Sequence, residues 1–123
     1  MIIDCHTHVN RYEDETADAL PLCLDRLQTA MRRNRIDHSI ILTSYKVSPG
    51  RPSARAVADA TRHLPNLHVV AGISWTTFHQ GDVEELRDLL QAGAIKGLKL
   101  YPGYEPFYPA DPKLAPAYQL AEE

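Results

Sequence analysis

Four short apolar runs, each followed by a stretch with helical spacing, set the pattern of the chain. Ile2 to Cys5 is a β-branched run that ends in His-Thr-His. Leu20, Leu24, Leu27 and Met31 then recur at spacings of three and four, which places them on one face of a helix. Pro21 suits the first turn of that helix, where its missing N–H is not needed. Ser39 to Thr43 (SIILT) is predicted as the second strand and Pro52 to His63 as an alanine-rich second helix. Leu67 to Ile73 (LHVVAGI) reads as the third strand. Asp82 to Ala92 reads as the third helix, acidic in its first turn and stopped by Gly93. Ile95 to Tyr101 (IKGLKLY) is the fourth strand. Asp111-Pro112 opens a last helix, with an N-cap carboxylate before proline and Pro116 placed to kink it.

Apolar strands alternating with amphipathic helices imply a parallel sheet covered by helices. Periodicity leaves two architectures open: an open doubly wound sheet, or part of an eight-stranded (β/α)8 TIM barrel. A complete barrel takes about 250 residues, so 123 residues supply its first four β/α units. The first strand-to-helix turn has no glycine-rich phosphate-binding fingerprint, the usual sign of a dinucleotide fold.

Ordinary apolar and charged content fits one globular unit over residues 1–123. The formal charge of −3 gives no basic footprint, so no nucleic-acid partner is expected. No apolar run approaches the roughly 18 residues of a membrane span, so no membrane partner is expected either. MIIDCHTH lacks the basic start of a secretory signal, and two distant cysteines make no disulfide framework. A reducing cytoplasm is the expected location. Arg32, Arg33 and Arg35 fall at a helix end, where cations suit the dipole, although an anion-binding patch is the alternative.

Candidate chemistry gathers at the strand ends. Asp4, His6 and His8 share parity on one extended segment, so period-two alternation points all three one way. Two imidazoles so placed can converge on one cation, most simply zinc, with manganese or iron as alternatives. The bland reading is polar residues capping a strand end. Cys5 has the opposite parity and is expected to be a small core residue. Lys99 lies near the end of the fourth strand, where it could bind an anionic group or stabilise an oxyanion. It could also be a carbamylated metal bridge, or simply reach solvent. His79 is a weaker candidate for an acid, base or outer contact. Tyr45, Trp75, Tyr101 and Tyr104 follow strands two, three and four and are candidates to line a pocket for a small flat substrate. Packing that pins long loops explains the same rings. His38, His63 and His68 lie at the far end of the sheet and read as structural or exposed.

IIDCHTHVN and GAIKGLKLYPGYEPFYPADP, followed by the helix ending in AYQLAEE, resemble the amidohydrolase superfamily, in its amidohydrolase-2-type, decarboxylase-like branch. The resemblance implies a complete (β/α)8 barrel with His6 and His8 as metal ligands. It also implies a histidine after strand five, often another after strand six, and an aspartate after strand eight. The chain is therefore expected to be the N-terminal part of a metal-dependent hydrolase. In it, metal-activated water attacks an amide, ester or lactone carbonyl, while non-oxidative decarboxylation of an aromatic acid is the alternative within the family. A phosphoesterase-like hydrolase and a non-catalytic α/β interaction domain are the rivals outside it. The isolated chain is expected to be inactive and to self-associate, aggregate or stay partly ordered through its exposed sheet edges.

Overall fold

A computed structural model of the chain describes residues 1–11 and 19–123. The polar loop expected from Arg11 onward lies, from residue 12 to 18, outside the described residues. Strands β1 (Ile3–Thr7), β2 (His38–Leu42), β3 (Leu67–Gly72) and β4 (Leu98–Lys99) form one sheet in the order β1-β2-β3-β4, every neighbouring pair parallel. Helices α1 (Ala19–Asn34), α2 (Ala54–Thr61) and α3 (Gln80–Gln91) fill the crossovers, and α4 (Ala115–Glu122) follows β4. A doubly wound sheet reverses its strand order at a switch point. This sheet runs in chain order without reversal, which is the arrangement of half a TIM barrel.

Alternation along the strands explains the layers. Leu67, Val69 and Ala71 of β3 are buried, while His68, Val70 and Gly72 between them are only half-buried. Ser39 and Ile41 of β2 are buried in the same way. The buried set belongs to one core with Leu24 and Met31 of α1, Val57 of α2, and Val83, Leu86 and Leu89 of α3. Burying each large aliphatic side chain there contributes about 1.5–3 kcal/mol. Among the described residues no helix covers the other sheet face, and β1 and β4 each keep one edge without a strand partner. Met1, Ile2 and Ile3 are exposed along the β1 side. Among the described residues no helix is long and apolar enough to cross a membrane.

Local chemistry sets the element ends. Ser53 caps α2, its hydroxyl accepting from the Ala56 N–H at 3.1 Å. Asp111 accepts from the Lys113 N–H and opens a short 3-10 turn, Pro112–Leu114, before α4. The fourth strand is shorter than the run Ile95–Tyr101, because only β3 lies beside it. Backbone bonds from Lys96 N to Val69 O and from Ala71 N to Gly97 O nevertheless carry the pairing past its N-terminal end. Cys5 corrects an expectation: it is exposed rather than in the core, because β1 is an edge strand with β2 as its one neighbour in the sheet.

Glu105 ties two loops together at the upper end of the sheet. It is buried, and its Oε1 accepts from Ser74 Oγ (2.8 Å), Thr76 N (3.1 Å) and Thr76 Oγ1 (2.7 Å). Its Oε2 accepts from the Trp75 N–H at 2.8 Å. Burial alone would raise its pKa, but the hydroxyls of Thr76 and Ser74 and the two backbone N–H groups outweigh that and hold it below 4.5.

Two stability predictions follow from these contacts. A methyl group at Gly72 would strike the Thr43 carbonyl oxygen and lie 2.8 Å from the Ser44 carbonyl carbon, both rigid backbone. Gly72→Ala should therefore cost about 1–3 kcal/mol, read as a lower denaturant midpoint at unchanged slope. The lowered pKa of Glu105 gives stability that is complete above its unfolded value near 4.5 and lost as pH falls through the lower folded value. Glu105→Gln turns an amide N–H₂ toward at least one of those donors. It should cost about 1–3 kcal/mol at pH 7 and flatten the acid side of a melting-temperature profile against pH.

Candidate functional site

The C-terminal ends of β1, β2 and β4 surround a cleft of about 650 Å³. His6 and His8 form one wall, Tyr45 and Lys46 follow β2, and Lys99, Tyr101 and Tyr104 close the other side. Local folding of β1 sets the histidines. Three steps from Asp4 to Thr7 match two steps from Ser39 to Ile41, so β1 carries one extra residue, a β-bulge. Asp4 Oδ1 accepts the His6 N–H at 3.1 Å inside the bulge, and Thr7 Oγ1 donates to the Ile40 carbonyl at 2.9 Å. Strict period two therefore does not run through this segment. Asp4 serves the backbone of His6 and is absent from the cleft lining.

His8 is anchored across to β2. Its Nδ1 lies 2.8 Å from the Leu42 carbonyl oxygen. A carbonyl can only accept, so Nδ1 carries a proton, which in the neutral ring leaves the lone pair on Nε2. That nitrogen is 3.1 Å from His6 Nε2, with the ring planes at 71°. Zinc–imidazole bonds of about 2.0–2.1 Å let one cation reach both nitrogens at any separation up to roughly 4 Å. The pair fits such an ion as two of the usual three protein ligands. Among the described residues no group of three or more His, Cys, Asp or Glu side chains could hold a metal.

The remaining lining is cationic and aromatic. Lys46, Arg51 and Lys99 line the cleft, and its described lining holds no carboxylate. Lys99 is half-buried, its Nζ 5.1 Å from the centre of the Tyr101 ring. Tyr45 packs on Tyr101 at 4.9 Å between ring centres and on Tyr104 at 6.5 Å. The Tyr101 hydroxyl donates to the Thr43 carbonyl at 2.6 Å, fixing that ring against the end of β2. Tyr104 is 81% exposed, so its face is open to a bound molecule.

Other candidates fall elsewhere. Trp75 lies outside this lining and stacks on Phe107 at 5.8 Å, the ring planes within 8°, with Lys113 Nζ 5.0 Å from the centre of the Trp75 ring. His79 caps α3: its side chain accepts from the Asp82 N–H, and the Asp82 carboxylate accepts from the His79 N–H at 2.8 Å. It also lies outside the lining. Sequence reading passed over Glu105, although the hydroxyl-rich Ser74-Trp75-Thr76-Thr77 segment was a sign that something there needed donors.

No family model matches the sequence, and no curated protein does. Among solved structures the chain is similar to a probable 2-pyrone-4,6-dicarboxylic acid hydrolase from Acinetobacter baumannii, crystallised with citric acid bound. The TM-score is 0.52 at 18% identity, over 97% of this chain and 46% of the other. The chain thus spans about half the length of that hydrolase and shares the fold of that half.

Proposed function

We propose that the chain is the N-terminal half-barrel of a metal-dependent hydrolase that cleaves an amide, ester or lactone carrying a flat ring and a carboxylate. One observation carries this reading: two imidazole nitrogens 3.1 Å apart share a cleft with Lys99 at the C-terminal end of a parallel sheet. The fold likeness to a protein named for hydrolysis of a pyrone dicarboxylic acid agrees with it.

His6 and His8 would hold the metal, most simply zinc, with manganese or iron as alternatives. Bound there, the ion supplies a water of lowered pKa and a Lewis acid for the substrate carbonyl. The chain's own residues do the rest of what this half can do. The Leu42 carbonyl keeps the His8 proton on Nδ1 and so keeps its other nitrogen available. Lys99 and Lys46 offer N–H donors to a substrate carboxylate, and the position of Lys99 over the Tyr101 face suits an ammonium better than a carbamate. Tyr45, Tyr101 and Tyr104 give a flat surface for a ring. A third protein ligand and a group to take the proton from water are not among the described lining residues.

The same cations would anchor an aromatic acid for loss of carbon dioxide, which is the second reading. Product analysis separates the two: hydrolysis consumes water and opens the substrate, whereas decarboxylation releases carbon dioxide.

The test combines zinc titration with ligand binding. His6→Ala or His8→Ala should remove one zinc equivalent, and Lys99→Met should weaken an aromatic dicarboxylate about tenfold, or 1.4 kcal/mol, while leaving its dimethyl ester unaffected. Unchanged zinc stoichiometry in both histidine variants contradicts the proposal.

A further inference from the structure

A second pair of imidazoles lies at the opposite end of the same sheet. His38 opens β2, and His68 is the second residue of β3. Ile40 faces His68 in the register, so His38 and His68 sit diagonally across two neighbouring parallel strands. Both are half-buried, at the same parity as Ile40 and Val70, on the sheet face that the helices leave open. Four residue steps along β2 separate His38 from Leu42, whose carbonyl anchors His8. At the rise of a strand this is about 13 Å, so the second pair is separate from the cleft.

His38 Nδ1 and His68 Nε2 are 3.1 Å apart. The ring centres are 5.2 Å apart and the planes within 22°. The centres are farther apart than the nitrogens by nearly two ring radii, so each nitrogen is aimed at the edge of the other ring. Two lone pairs cannot face each other unshared. Either one nitrogen carries a proton and donates it, or both bind one positive ion. The nearest acidic neighbour in sequence, Asp37, is engaged elsewhere: its carboxylate accepts the Ile2 N–H at 2.6 Å and lies 3.8 Å from the N-terminal ammonium. The donor set is therefore two imidazoles. Calcium and magnesium want oxygen, whereas imidazole suits late first-row metals, copper(II) above zinc.

We propose that His38 and His68 form a second cation site, which takes a late first-row divalent ion in place of the proton the two rings otherwise share. As the ion binds, the ring that donated the shared proton passes to its other tautomer, with that proton on its outer nitrogen, so both facing nitrogens offer lone pairs and no redox change occurs. Water fills the remaining positions. Because the two ligands come from different strands, the site exists only when β2 and β3 are paired, and ion binding stabilises the fold by mass action.

The experiment is a copper(II) titration of the His6→Ala/His8→Ala chain, followed by electron paramagnetic resonance and thermal melting. One equivalent with two-nitrogen hyperfine structure and a melting midpoint that rises with copper are expected. Adding His38→Gln or His68→Gln should abolish both. An equivalent that survives both substitutions overturns the proposal. Where a glutamine variant fails to fold, carbethoxylation of the unsubstituted chain decides. Copper should protect His38 and His68 together, at least fivefold relative to exposed His63, and equal labelling with and without copper overturns the site.

Discussion

The hydrogen bond from His8 Nδ1 to the Leu42 carbonyl is the contact on which the candidate site depends. β1 is an edge strand, so its upper end has a neighbour on one side, β2. The bulge between Asp4 and Thr7 brings Thr7 opposite Ile41 and His8 within reach of the next carbonyl. One bond then does two jobs. It orients the imidazole toward His6, and it puts the proton on the nitrogen that a cation does not use. An unanchored ring at an exposed strand end would sample several rotamers, and an ion would have to bear that ordering cost.

Charge is segregated around this point. The cleft gathers Lys46, Arg51 and Lys99, while the nearby buried carboxylate, Glu105, is enclosed by the hydroxyls and N–H groups of Ser74, Trp75 and Thr76. Glu105 thus fixes the loop after β4 without cancelling the cations. The residue before it, Tyr104, remains exposed beside Tyr45 and Tyr101. The cations and the ring surface thus share one end of the sheet.

Much of this fold was legible because its determinants are local. Hydrophobic runs gave four strands, spacings of three and four gave the first helix, an acidic first turn and Gly93 bounded the third, and Asp111-Pro112 marked where the last helical segment opens. Strand order, which periodicity does not encode, bore out the half barrel over the doubly wound alternative. The site was legible as residue types, since His-x-His at a strand end carries its own chemistry. Its geometry was not: a bulge depends on the neighbouring strand, and the Leu42 carbonyl lies 34 positions away in sequence. The rings divided for a similar reason. Trp75 went to Phe107 and Lys113, and the tyrosines went to the cleft, through contacts about 30 residues apart or more for Trp75 and as many as 59 for Tyr45 with Tyr104. His79 had a readable capping signal, an aspartate three residues on, that competed with its reading as an acid or base.

Ring-nitrogen NMR of the histidines, with and without zinc, tests the account at its centre. The account predicts that His8 carries its proton on Nδ1 in the free chain, and that zinc shifts the Nε2 resonances of His6 and His8 together. A proton found on His8 Nε2, or zinc that leaves both resonances in place, contradicts it.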